Sequence, residues 1–344
     1  MGMSRPVDEA RCAVIGAGAW GTTLAWLISG RGHAVCLWAR DSARAAAMQS
    51  ARENRLRLPG TVFPEPLRAT GDLAEALAGA RFAVFAVPSE HLREVARIAG
   101  PHLAPGTLLI SATKGLEIGS GKCMTQILVE ETGLEAGQVM ALSGPNLSGE
   151  IAAGAPAVSV VAGTREDCVL AGQALLSTPL FRVYANYDIL GVQVCGALKN
   201  VIAIAAGVCD GLGYGANAKA ALVTRGLAEI GRLGTRMGAQ RATFWGVAGV
   251  GDLLATCNSS LSRNWQVGQS LAAGQAVVTP GSPADPVAEG IPTTVAAREL
   301  AWRVGVEVPI TQALYEVLFE GRGPSDAVHE LMTRRWRAEL EDWQ

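Results

Sequence analysis

The stretch Gly16-Ala17-Gly18-Ala19-Trp20-Gly21 constrains this chain more than any other. The short apolar run Cys12–Ile15 leads straight into it. Leu24, Leu27 and Ile28 follow at helical spacing, before Gly30 and Gly32 close the pattern. In a G-x-G-x-x-G between a strand and a helix, each glycine has its own task. Gly16 permits the tight turn, Gly18 lets a pyrophosphate approach the backbone, and Gly21 lets helix and strand pack closely. The helix N-terminus then offers N–H donors and a positive dipole to the phosphates. The fold expected is α/β: a Rossmann-type, mostly parallel sheet domain that binds a dinucleotide.

More strands at suitable intervals extend this reading: Ala34–Trp38, Phe82–Val87, Thr107–Ser111, Val139–Leu142 and Ala157–Val161. After the second strand, an NAD site usually has an acid for the ribose hydroxyls. Here the chain reads Ala39-Arg40-Asp41. Arg40 suits a 2′-phosphate, which favours NADPH over NADH, or else is an idle surface residue. Asp41 reads as a helix N-cap. Ligands of such sheets bind beyond the carboxyl ends of the strands. Lys114, in Ala112-Thr113-Lys114-Gly115, lies at one of those ends and is expected to face the cofactor cleft.

From about Asp188 the pattern turns helical, which sets a division into a dinucleotide-binding domain, 1–187, and an all-helical C-terminal domain, 188–344. Lys199 sits inside the apolar run Val192–Val208, broken otherwise only by Gln193 and Asn200. Desolvating an ammonium costs several kcal/mol and pulls its pKa toward neutrality, where it can exchange protons. Two readings stand: a lysine that snorkels to the surface, or a catalytic one. Asp252, in Gly249-Val250-Gly251-Asp252, either holds Lys199 charged or is an ordinary turn residue. In Leu261-Ser262-Arg263-Asn264, a helix start beside an arginine makes either a phosphate cradle or a plain N-cap. Ala273–Pro292 is rich in Gly and Pro and reads as a long loop of the kind that forms lids. Met332–Gln344 reads as a terminal helix.

Several function classes fall away on composition. A net charge of −2 gives no reason to expect nucleic acid or an anionic membrane as partner. The run around Lys199 comes closest to a membrane span, and its lysine and asparagine argue against one. Met1–Ala10 has no apolar core for export. Seven scattered cysteines, never as Cys-x-x-Cys, fit reduced thiols in a cytoplasmic protein. The four histidines lie near no cysteine or acidic cluster, so no metal site is expected.

Taken together, these segments resemble bacterial NAD(P)H-dependent glycerol-3-phosphate dehydrogenase over about Cys12 to Leu318. The likeness rests on GAGAWGTTLA (16–25), ATKGLE (112–117), SGPN (143–146) and the long block ALKNVIAIAAGVCDGLGYGANAKAALVTRGLAE (197–229). It continues through TFWGVAGVGDLLATC (243–257), LSRN (261–264) and Glu289-Gly290. The resemblance implies reversible reduction of dihydroxyacetone phosphate to sn-glycerol 3-phosphate, at the start of glycerophospholipid synthesis. It implies Lys199 as proton donor, and as base in reverse, with Asp252 beside it. Lys114 would touch both cofactor and substrate. Gly144, Asn146, Asp252, Ser262, Arg263 and Asn264 fall on substrate positions. Gly16, Gly18, Ala19, Trp20, Gly21, Arg40, Ser148, Arg263, Val287 and Glu289 fall on cofactor positions. A homodimer is a family-level expectation.

One segment departs from the family pattern, which usually reads Ser-Gly-Pro-Ser/Thr-Phe-Ala. This chain has Ser143-Gly144-Pro145-Asn146-Leu147-Ser148-Gly149-Glu150. Asn146 keeps a hydrogen-bonding group for a substrate hydroxyl, while Leu147 loses an aromatic ring. Two other readings compete: a β-hydroxyacid-type dehydrogenase with the same architecture, and a non-catalytic NADPH sensor. The former would not carry LSRN and the GVGD turn together. The latter has no need of Lys199 and Asp252 beside a phosphate cradle.

Overall fold

The computed structural model describes residues 10–275, 288–336 and 338–339. They fall into two compact units. One runs up to Thr113 and resumes over Met124–Ile189; the other comprises Lys114–Cys123 and the chain from Leu190 onward.

The first unit is built on eight strands: β1 Arg11–Ile15, β2 Ala34–Trp38, β3 Leu67–Thr70, β4 Phe82–Phe85, β5 Leu108–Ser111, β6 Val139–Ser143, β7 Ala157–Ala162 and β8 Phe181–Asn186. Their order in the sheet is β3-β2-β1-β4-β5-β6-β7-β8. Every pairing is parallel except β6 with β7. Helices α1 (Ala19–Ser29), α2 (Ser42–Ala51), α3 (Leu73–Leu77), α4 (Ser89–Ala99), α5 (Met124–Thr132), α6 (Ser148–Ala152) and α7 (Glu166–Leu176) connect them.

Alternation along β1 sets the two layers, because successive side chains point to opposite faces. Cys12 and Val14 join Leu24 and Ile28 of α1 on one face. Ala13 and Ile15 join Leu92 of α4 and Leu128 of α5 on the other. Strands covered on both faces read as unbroken apolar runs, as Phe82–Phe85 does. Strand order reverses between β1 and β4, the switch point where such sheets bind ligands, and Gly16 follows β1 directly. The expected strands are all present. β3 and β8 were not expected; both are sheet edges whose side chains alternate between buried and exposed.

The second unit holds α8 Ile189–Gly211, α9 Gly215–Arg236, α10 Arg241–Phe244, α11 Asp252–Asn258, α12 Arg263–Ala272, α13 Gly290–Val304, α14 Pro309–Phe319 and α15 Pro324–Thr333. By length and composition α8 suits a membrane crossing, yet 83 % of its apolar window is buried inside the protein. A helix apolar all round is a core helix here. Val194, Leu198, Ile202 and Ala206 of α8 pack with Leu227 and Ile230 of α9, Phe244, Leu253 and Ala297. Buried Glu229 of α9 caps α14, accepting from the amides of Ile310 (2.8 Å) and Thr311 (3.0 Å) and from the Thr311 hydroxyl (2.5 Å). Burial raises its pKa, while the Thr311 hydroxyl and the two amides pull the other way.

Two expectations for this unit change. Residues 290–292 are not loop: α13 starts at Gly290, with Pro292 in the first turn, where a missing N–H is harmless. The lid expected over 273–292 otherwise falls mainly on 276–287, outside the described residues. Among the described residues, no terminal helix runs on through the segment expected from Met332. α15 ends at Thr333, and Arg334–Trp336 are not helical.

Candidate active site

The glycine loop has the geometry its sequence requires. Gly16 has φ +116°, and a Cβ there would meet the Ala86 carbonyl oxygen at 2.6 Å. A Cβ on Gly21 would lie 1.9 Å from the Gly16 carbonyl oxygen. Neither position tolerates a side chain. Gly18 differs: a Cβ there would meet nothing within 4 Å among the described residues, which leaves room for a ligand to approach the backbone closely. Gly18 also caps α1 without a side-chain acceptor for the first-turn amides. These residues therefore fit a pyrophosphate. Ala19 opens the helix, and Trp20 packs its ring against Phe181 at 6.2 Å between centroids, its indole N–H buried with no acceptor among the described residues.

Two side chains that sequence reasoning missed hold this loop. Arg44 of α2 donates to the Ala17 carbonyl at 2.6 Å, and Asn54 donates to the same oxygen at 3.1 Å and to the Thr22 hydroxyl at 2.8 Å. The partners lie 27 and 37 residues apart, with no local pattern to announce them. Asp41 is the N-cap of α2, accepting from the Arg44 amide at 3.0 Å. Arg40 stands exposed just past β2.

Lys199 does not snorkel. Its residue is 7 % exposed, and its ammonium donates to Asp252 Oδ1 and, at 2.7 Å, to the Thr256 hydroxyl. Lys114 donates to the other oxygen, Asp252 Oδ2, at 2.7 Å. One buried carboxylate thus serves two ammoniums. Desolvation pulls Lys199 from its ordinary 10.5 to about 8; Asp252 opposes that pull, and the charge on Lys114 adds to it. Burial pushes Asp252 upward, but the two ammoniums outweigh it and hold the carboxyl below its usual range. Asp252 therefore stays ionised while Lys199 is poised near neutrality.

Asp252 opens α11 directly after a single π-helical turn, Val247–Gly251. Such turns often mark functional sites. Thr256 follows one turn later and donates to the Asp252 carbonyl at 2.7 Å. Nothing in the sequence singled it out.

The segment 262–264 is organised by α12. Ser262 is the N-cap, accepting from the Trp265 amide at 3.3 Å. Arg263 is exposed in the first turn and touches Gln266 at 3.2 Å. Asn264 is buried and braces the unit: its amide donates to Asn200 Oδ1 at 2.9 Å, and its oxygen accepts from the Gly290 amide at 2.9 Å. Glu289 occupies the N-cap position of α13, half-buried. Val287 lies outside the described residues.

In the first unit, Gly144 follows β6 with φ +142°. A Cβ there would meet Ser159 Cα at 2.9 Å. Asn146 donates to the Ser159 hydroxyl at 3.1 Å, and that hydroxyl donates to the Ser143 carbonyl at 2.9 Å. The Asn146 amide oxygen is buried, with no hydrogen-bond partner among the described residues. Ser148 starts α6, half-buried.

A phosphate-cradling loop on a parallel sheet, joined in one chain to a desolvated lysine tuned toward neutrality, marks a nucleotide-dependent oxidoreductase. Comparison narrows that class to one family. The model of the NAD-dependent glycerol-3-phosphate dehydrogenase N-terminus matches residues 11–169, and that of its C-terminus matches residues 188–329. Two relatives named glycerol-3-phosphate dehydrogenase [NAD(P)+] align almost end to end. The one from Syntrophotalea carbinolica is 47 % identical over 95 % of this chain and 99 % of its own. The one from Chlorobium luteolum is 45 % identical over 96 % of this chain and 99 % of its own. A crystal structure of glycerol-3-phosphate dehydrogenase from Coxiella burnetii superposes with a TM-score of 0.88 at 36 % identity, covering 95 % of this chain and 99 % of that one. The chain belongs to the NAD-dependent glycerol-3-phosphate dehydrogenase family.

Proposed function

We propose that this protein reduces dihydroxyacetone phosphate to sn-glycerol 3-phosphate, reversibly, with NADH or NADPH, and supplies glycerophospholipid synthesis. The observation that carries the reading is Lys199: a buried ammonium held by Asp252 and Thr256, with a pKa brought down to about 8. A general acid works best with a pKa near the operating pH. The glycine loop, with Ala19, Trp20 and Ser148, would hold the dinucleotide, and Arg263, Val287 and Glu289 are carried over as cofactor contacts from the family pattern. When bound, the nicotinamide supplies the hydride that goes to C2 of the ketone. Lys199 Nζ donates its proton to the alkoxide oxygen forming on C2. Asp252 keeps that ammonium oriented and offsets its desolvation. In the reverse direction neutral Lys199 takes the hydroxyl proton. Lys114 contributes a second positive charge at the same carboxylate and contacts substrate.

The phosphate belongs at the start of α12. There Arg263 offers a guanidinium, and the first turn offers amides and the positive end of the dipole. Ser262 and Asn264 set the position of that turn. By the family pattern Gly144 and Asn146 belong to the substrate, and the buried Asn146 oxygen, without a partner among the described residues, would accept from a substrate hydroxyl. The test is turnover of purified protein with dihydroxyacetone phosphate beside unphosphorylated dihydroxyacetone, with the product assayed as sn-glycerol 3-phosphate. Turnover that depends on the phosphate is expected. Equal turnover of both ketones, or none of either by folded, cofactor-binding protein, would count against the reading.

Arg40 gives a preference for NADPH, since an exposed guanidinium past β2 suits a 2′-phosphate. Replacing Arg40 with Asp should move the NADPH-to-NADH ratio of kcat/KM toward NADH by about tenfold or more, roughly one charge-assisted hydrogen bond. An unchanged ratio would remove Arg40 from the cofactor site.

A further inference from the structure

Helices α8 and α12 touch backbone to backbone. A Cβ on Gly207 of α8 would lie 2.0 Å from the Trp265 carbonyl oxygen. One on Gly268 of α12 would lie 2.1 Å from the Ile204 carbonyl oxygen and 2.7 Å from Gly207 Cα. Three hydrogen bonds lock this contact lengthwise. Asn264 donates to Asn200 at 2.9 Å, Trp265 Nε1 to Asp210 at 2.7 Å, and Gln269 to the Gly207 carbonyl at 2.7 Å. Lys219 of α9 fixes Asp210 in turn, at 2.6 Å. Asn264 therefore meets α8 at the residue after Lys199, and the two helices then run side by side in the same direction. Ordinary helix pairs keep their axes 8–10 Å apart through side chains. Here glycines remove that spacer and leave no slack.

We infer that this glycine contact, latched by Trp265 and Asp210, is a specificity-determining ruler for substrate length. It rests on the reading that Lys199 serves the carbonyl and the first turn of α12 serves the phosphate. The span between those two groups is then set by the crossing of α8 and α12. It admits ketones whose carbonyl carbon is one methylene from the phosphate ester and rejects longer homologues. Trp265, Asp210, Gly207 and Gly268 are positioning residues, since they act through Lys199 and Arg263.

The experiment compares dihydroxyacetone phosphate with its homologue carrying one extra methylene between carbonyl and phosphate. Wild-type protein should favour the shorter ketone in kcat/KM by about 10- to 200-fold, the worth of one methylene. Gly268→Ala, which must push α12 outward, should lower that preference at least about tenfold. Trp265→Phe removes the latch without adding volume, and Asp210→Asn weakens it. Both should raise KM for dihydroxyacetone phosphate severalfold while leaving the pH dependence of kcat in place, and they decide the matter if Gly268→Ala does not fold. Loss of both ketones by the same factor, or an unchanged KM in the latch variants, would reduce the contact to packing and overturn the ruler. Wild-type protein that reduces neither ketone would instead overturn the functional reading beneath it.

Discussion

Lys199→Ala is expected to lower turnover by a factor of about 10² to 10⁴, the usual contribution of a positioned general acid. The protein should remain folded, because Asp252 keeps Lys114 as a partner at 2.7 Å and is not left as an uncompensated buried charge. Removing a buried ammonium also removes its desolvation penalty, which offsets part of the lost packing. Lys199 is not among the residues assigned to the cofactor, so cofactor affinity, measured by quenching of protein fluorescence, should change little. Retention of full turnover would remove Lys199 from the chemistry. Loss of cofactor binding along with turnover would point to a structural lysine.

Asp252→Asn should do greater damage to the fold. It takes away the one carboxylate shared by two ammoniums and leaves both charges at a buried site. Breaking a buried pair by removing one partner typically costs about 3–5 kcal/mol. Lys199 loses the interaction that opposes its desolvation, so its pKa should fall below about 8. The variant should therefore unfold at lower denaturant concentration. Its reduction activity at neutral pH should be lower than wild type, because a smaller share of Lys199 carries the proton it must donate. Wild-type stability with wild-type activity would show that Lys114 and Lys199 do not depend on Asp252.

What could be read from the sequence follows what leaves a local mark. The glycine loop was legible because the backbone allows nothing larger at Gly16 or Gly21. Lys199 was legible because a charge inside an apolar run has to be explained. The central strands were legible as apolar runs. β3 and β8 were not, since edge strands alternate over few residues and β3 is only four long. Spacing left Asp252 evenly divided between holding Lys199 charged and serving as an ordinary turn residue, because the two lie 53 residues apart. Thr256 looks like any helical threonine until Asp252 is placed one turn before it. The expected cradle was right about where α12 begins, yet Asn264 spends its amide on Asn200 and Gly290, a bracing role that no motif announces. The hold of Arg44 and Asn54 on Ala17 is likewise tertiary.

The central claim is that Lys199 moves the proton, and the pH dependence of kcat/KM in both directions tests it most directly. Reduction needs the ammonium, so its rate should be high below about pH 8 and fall as pH rises through that value. Oxidation of sn-glycerol 3-phosphate needs the neutral amine, so its rate should rise through the same value. The two limbs report the coupled lysine–aspartate cluster and should mirror each other. In Asp252→Asn both should move to lower pH. Profiles that are flat across this range, or that bend alike in both directions, would contradict the account.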